Sequence, residues 1–188
     1  MKLVLASKSP RRRELLSKIC EQFDIITRET DETLPGDCPP VQGVEILARR
    51  KGAAVAAELS PDTLVISSDT LVELDGTPLG KPTDEADAHR MLASLSGRAH
   101  NVHTGVAVHY RGRVYSGVAT TAVSFKPLTD REIDEYIATG EPMDNAGAYG
   151  IQGLGGRFVT GYDGDYDTVV GLSRALTRRL ISDAEAEK

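Results

Sequence analysis

The sequence is poor in cysteine, in long apolar runs and in net positive charge, and each shortage closes off a class of protein. Cys20 and Cys38 are the only thiols among 188 residues, too few for a disulfide framework and without the spacing of metal ligands. Apolar runs such as Leu64-Val65-Ile66 stop far short of the roughly 20 residues that span a bilayer, so no membrane segment is expected. Lysine and arginine total 22 against 28 acids, a net charge of -6. Binding to nucleic acid relies on neutralising backbone phosphates with cations, so nucleic acid is not an expected partner and any phosphate site must be local. Met1-Lys2-Leu3-Val4-Leu5-Ala6 is too short for a secretory signal and runs straight into charge, so it reads as a core strand of a cytoplasmic protein. One domain is expected over residues 1–188, with 183–188 as a fraying tail.

The order of elements follows from local chemistry. After a strand at Leu3–Ala6, Ser9-Pro10 opens a helix to about Cys20, because Ser caps well and Pro suits the first helical position. A short strand is expected at Phe23–Thr27, then a polar, proline-rich loop with Glu29, Asp31 and Glu32, then a helix over about Val41–Leu59. The run Leu64–Ser68 suits a buried strand, and Asp75-Gly76 signals a two-residue hairpin, with another near Gly112. Pro82-Thr83 leads a helix whose Ala88, Met91, Leu92 and Leu95 share one face, and Thr129 with Glu132 forms a capping box for the next, ending near Gly140. Strands near Arg157–Thr160 and Thr168–Val170 precede a C-terminal helix. Alternating strands and helices with interspersed hairpins predict an α/β fold with a mixed sheet.

Several residues stand where their own helix or strand would not choose them. Arg11-Arg12-Arg13 fill a helical first turn, where the macrodipole disfavours cations. Free amides plus guanidinium groups there make an anion clamp, and Arg12 shares a stripe with Leu15, Leu16 and Ile19 that should turn it inward. A solvated arginine run paired with Glu14 fits the same spacing. Lys51 lies in the apolar face of Val44, Leu47, Ala48 and Val55, which calls either for a partner or for a stem that snorkels to water. Asp69 ends the buried run, where open α/β sheets carry ligand chemistry. With a two-residue turn at Asp75-Gly76, Thr70 falls opposite Lys81, which brings a carboxylate and a cation together as a reactive pair or as a plain cross-strand ion pair.

From Gly147 to Gly156 five glycines keep the backbone bare around Gln152, whose amide can read a base edge; a flexible loop has the same composition. This stretch is neither a P-loop nor a dinucleotide fingerprint. His100 and His103 lack a metalloprotease glutamate and read as strand surface, Asp163–Asp167 reads as a turn, and Ser9 reads as a cap and phosphate contact rather than a nucleophile.

Taken together, Ser7-Lys8-Ser9-Pro10-Arg11-Arg12, Ser68-Asp69-Thr70, Gly80-Lys81-Pro82, Leu95-Ser96-Gly97 and Gly147-Ala148-Tyr149-Gly150-Ile151-Gln152-Gly153 resemble the Maf-like nucleotide pyrophosphatases, in order and over almost the whole chain. The resemblance implies an elongated mixed sheet with flanking helices, two lobes around a central cleft, related to the inosine triphosphate pyrophosphatases, and frequent homodimers. It implies hydrolysis of a nucleoside triphosphate to the monophosphate and pyrophosphate with magnesium or manganese. Asp69 matches the general base, with Lys81 beside it. Ser9, Arg11, Arg12 and Lys51 match the phosphate site, and Asp69 and Glu32 the metal ligands. Arg12, Thr70 and Gln152 match the branch acting on dTTP and UTP rather than on methylated guanine nucleotides. Asn145 stands where that family usually has Lys, Ser68 where Ala is common and Ser173 where Pro is frequent. A lost cation beside the glycine loop keeps two alternatives open: the other base specificity, and a nucleotide-binding regulatory protein with slow turnover.

Overall fold

Capping and turn chemistry fix most boundaries in the computed structural model, which describes residues 2–186. Strand β1 (Lys2–Leu5) leads to helix α1 (Pro10–Ser17), whose cap Ser9 accepts the Arg12 amide as expected. Strand β2 (Asp24–Ile25) and helix α2 (Pro40–Ala56) follow. Strands β3 (Thr63–Leu74) and β4 (Thr77–Leu79) meet at Asp75-Gly76, both left-handed at φ 51° and 77°, the combination a two-residue hairpin turn requires. Helix α3 (Glu85–Leu95) starts two residues later than Pro82-Thr83 suggests, because the Asp84 carboxylate caps the Asp87 amide. Strands β5 (Ala99–Tyr110) and β6 (Arg113–Phe125) are joined by Arg111-Gly112, again left-handed. Helix α4 (Asp130–Ile137) carries the expected capping box of Thr129 and Glu132, and strand β7 (Val159–Asp163), helix α5 (Tyr166–Val170) and helix α6 (Arg174–Ala186) complete the order.

Two expectations are corrected. Thr168–Val170 is helical: the Asp165 carboxylate accepts the Asp167 amide and the Asp165 carbonyl accepts that of Thr168, so local capping overrides the β-branched run. His100 and His103 are buried, because β5 is covered on both faces along most of its length. Helix runs to Ala186, with Ala184 packed, and residues 187 and 188 of the expected tail lie outside the described residues.

The sheet is mixed, with flanking helices, as the alternation of elements predicts. Its seven strands run in the order β2-β1-β3-β5-β6-β7, with β4 on β3. Strand β1 pairs in parallel with β2 and β3, whereas β3–β4 and β6–β7 are antiparallel. The chain divides into two compact units, one built from the segments up to 69, 104–119 and from 171, the other from 70–103 and 120–170. Each has its own core. In the first, Val4, Ala6, Val55 and Val65 pack with Ile26 and Leu59. In the second, a larger cluster joins Leu92, Leu95, Val123, Phe125, Tyr136, Tyr149 and Phe158.

Candidate active site

Three parallel strands deliver their following residues to one edge of the first unit. Leu5 lies level with Ile25 and with Ile66, so Ser7-Lys8 after β1, the Arg28–Glu32 segment after β2 and the Asp69 region of β3 emerge together. The parallel ladder stops at Ile66, but β3 itself continues to Leu74. Asp69 is therefore inside a strand rather than at its end, because Val72–Leu74 go on to pair with β4; it sits beyond the ladder with β1, where the edge opens.

Helix α2 brings Lys51 to Asp69 by lying very close to the sheet. Next to Lys51, a Cβ on Gly52 would come within 2.5 Å of the Ser67 hydroxyl and the His109 ring, so only glycine permits this approach. The Ser67 hydroxyl in turn donates to the Ala48 carbonyl at 2.7 Å. Val44, Leu47, Ala48 and Val55 are buried as the periodicity predicts. The Lys51 ammonium does not snorkel: Nζ stands 2.5 Å from Asp69 Oδ1 and 2.8 Å from Glu32 Oε1. Lys51 and Asp69 keep only 19% and 13% of their side-chain surface, whereas Glu32 keeps 63%. A desolvated ion pair thus has one open side, covered by an exposed acid.

The Arg12 guanidinium is drawn into the same unit. Its Nε donates to the Gly171 carbonyl at 3.0 Å and Nη1 to Ser7 Oγ at 3.5 Å, while Leu15 and Leu16 of the same stripe are buried. Burial lowers its proton affinity, the fields of Asp69 and Glu32 raise it, and the neighbouring Arg11 lowers it again. Arg12 remains a cation, since no protein environment deprotonates arginine. Ser68 Oγ donates to the same Gly171 carbonyl at 2.9 Å, tying β3 and α1 to one backbone atom.

Ala6, Ser7, Lys8, Arg12, Arg28, Glu29, Thr30, Glu32 and Lys51 line a cavity of about 430 Å³. Of the expected residues, Arg12, Lys51 and Glu32 line it and Asp69 bonds to one of them. Ser9 caps α1 at its margin, and Arg11 is half-buried beside Arg12. Thr70, Lys81 and Gln152 belong to the second unit. There the register Val72–Leu79 and Leu74–Thr77 is the expected one but ends at Leu79, and Lys81 Nζ, largely exposed, is 2.5 Å from Asp144 Oδ1. Arg28, Glu29 and Thr30 went unsingled in the sequence, although residues that follow a strand parallel to β1 must share its carboxyl edge. Arg28 is itself held at the cavity by two bonds to the Glu58 carboxylate, Nε at 2.8 Å and Nη2 at 2.5 Å.

A desolvated lysine shared by two acids, a half-buried arginine and a polar cavity at a carboxyl edge make an arrangement able to hold an anion, with the Asp69 carboxylate on the lysine that lines the cavity. Among the described residues no helix is long and apolar enough to cross a membrane. The chain is 51% identical over 180 residues to the dTTP/UTP pyrophosphatase of Vibrio cholerae serotype O1, covering 96% of each, and 52% identical over 183 residues to that of Moorella thermoacetica, covering 96% of this chain and 94% of the other. The structure of the Staphylococcus aureus Ham1 protein superposes over 100% of both chains with a TM-score of 0.57 at 16% identity, a likeness of fold. The sequence profile described as Maf-like protein matches residues 2–184, and the chain belongs to that family.

Proposed function

We propose that this chain is a nucleotide pyrophosphatase that hydrolyses dTTP and UTP to the monophosphate and pyrophosphate in the cytoplasm. The observation that carries the chemistry is the Lys51 ammonium held between Asp69 and Glu32 beside a cavity that Arg12 also lines. The base preference rests on relatives named dTTP/UTP pyrophosphatase at about half identity over nearly the full length.

A triphosphate entering the cavity competes with the two carboxylates for Lys51. As the ammonium moves toward phosphate oxygens, Asp69 is left as a poorly solvated carboxylate able to take a proton from water. That water forms a bond to the α-phosphorus while the bond from phosphorus to the α–β bridging oxygen breaks. Pyrophosphate leaves with that oxygen and the bonding electrons, and the proton goes to Asp69. Charge develops on the leaving group, where Arg12 and Lys51 stabilise it.

The donor set suits magnesium or manganese, because Asp69 and Glu32 are hard oxygen ligands already converging on one cation, the lysine ammonium. Among the described residues no cluster of three histidine, cysteine or acidic side chains could hold a metal, so substrate phosphates and water would complete the shell. A bound divalent ion there supplies charge neutralisation and a more acidic water.

The test is a panel of nucleoside triphosphates assayed for pyrophosphate release with and without magnesium, on the wild type and on Asp69→Asn. Release from dTTP and UTP is expected, with a loss on the order of 10³-fold in the variant at unchanged circular dichroism. Near-normal turnover by Asp69→Asn would remove Asp69 from its role. Preference for a methylated guanine nucleotide would move the chain to the other branch, and tight binding without product would make it a regulator.

A further inference from the structure

The glycine-rich stretch is wrapped around a single carboxylate. Glu141, which opens a 3₁₀ turn after α4, lies in the second unit and points its acid group into the loop that follows. Its Oε1 accepts the Tyr136 hydroxyl at 2.8 Å and the Gly155 amide at 3.1 Å, and its Oε2 accepts the Leu154 amide at 3.0 Å. Tyr136 extends the grip, because its oxygen also accepts the Gly150 amide at 3.2 Å. The ring of Tyr136 is fully buried and meets Phe158 edge-on at 5.1 Å, so the hydroxyl is a fixed post. Burial and the bond to Glu141 raise the proton affinity of that phenol, so it stays a donor throughout the working pH range. On the near side, the Asn145 amide donates to the Glu141 carbonyl at 2.8 Å.

The backbone has been kept bare for this contact. A Cβ on Gly153 would lie 2.4 Å from Glu141 Oε1, although its φ of -98° is open to any residue. Glycine is needed at 153 for space alone. Between the anchored amides of Gly150 and Leu154 stand Ile151, half-buried, and Gln152, exposed. Gln152 is thus the polar side chain carried at the tip of a loop whose two ends are tied to one acid and one phenol.

We infer that Glu141 is a positioning residue for base recognition: it fixes the loop so that the Gln152 amide presents its donor and acceptor in one orientation. This rests on the reading of the chain as a pyrimidine-nucleotide pyrophosphatase and of Gln152 as a side chain able to read a base edge. Paired donor and acceptor discriminate bases only when their direction is set, and a loop free to rotate satisfies any base edge equally poorly.

The test uses Glu141→Gln and Gly153→Ala. The first replaces an acceptor oxygen by a donor that faces an N–H; the second leaves the acid chemically intact and displaces it sterically. Three measurements are made on each: amide hydrogen exchange over 149–156, kcat and KM for dTTP and UTP, and the ratio of kcat/KM for UTP over CTP and GTP. Exchange in the loop should speed by at least about 10-fold, as the anchoring bonds open. KM should rise and the discrimination ratio fall by about 10-fold, with kcat within about 3-fold, the split expected when only binding orientation is lost. Unchanged exchange overturns the anchoring. Faster exchange with KM and the ratio within twofold of wild type overturns the role in recognition. A wild type that treats all triphosphates alike overturns the substrate reading itself and the recognition role with it, a result visible before any variant is made.

Discussion

A lysine ammonium shared by two carboxylates is a poised charge rather than a finished bond. Lys51 with Asp69 alone would be a neutral pair, and Glu32 adds a negative charge that the cavity presents to incoming cations. Lys51→Met should therefore act twice. It leaves Asp69, with 13% of its side chain exposed, without its ammonium, at a cost of about 2 kcal/mol, less than for a fully buried pair because some solvent reaches it. It also removes a cation that neutralises phosphate, so kcat/KM should fall about 100-fold or more. Adding Asp69→Asn separates the two effects: the double variant should regain most of the lost thermal stability while remaining inactive. A double variant as unstable as the single one would show that Lys51 matters for packing, not charge.

At the scale of elements, the boundaries that local chemistry sets are those that the sequence makes legible. Helix α4 begins where Thr129 accepts the Glu132 amide and Glu132 accepts that of Thr129. Thr129→Ala should destabilise the chain by about 1 kcal/mol and lower its melting temperature by a few degrees, with pyrophosphate release at 25 °C unchanged, measured by scanning calorimetry beside the activity assay. The two left-handed turns and the amphipathic face of α3 were readable for the same reason, since a few neighbouring residues decide them. Helix α5 was not. Its Thr168, Val169 and Val170 carry strand propensity, and the capping that decides for helix comes from Asp165, whose own amide is held by Thr121 Oγ1 on β6, far away in sequence. Site residues follow the same division. Arg12 and Lys51 were visible because they contradict their helices. Glu32, in a polar loop with several acids, was singled out only by family resemblance, and Glu141 looks like any acid beside a proline until the chain returns thirteen residues later with the Leu154 amide.

The whole molecule should answer to pH through its buried histidines. His100 is 4% exposed, its Nε2 is 2.8 Å from the Tyr149 hydroxyl, and its ring sits edge-on to Phe125 and Tyr149 at 5.0 and 5.4 Å. Burial lowers its pKa from 6.5 to about 4, so the native state holds it neutral. The unfolded chain begins to bind that proton near 6.5. Stability is therefore fully present above 6.5 and is lost as pH falls from there to about 4, by up to about 3 kcal/mol from this group. His109, lowered mainly by burial, acts with the same sign. Glu132 acts in a more acidic window: its hydrogen bond to Lys126 pulls it from 4.5 to about 2, so its stabilisation persists until pH drops below 4.5. Comparing chemical denaturation of wild type and His100→Gln between pH 8 and 4.5 isolates the histidine from the acids. The variant should start less stable at pH 8, having lost ring packing, and should lose less on acidification, so that the two curves converge. Parallel curves would mean that His100 is already protonated in the folded state, or accommodates a proton there without penalty, and that its aromatic enclosure is not the dry pocket the burial describes.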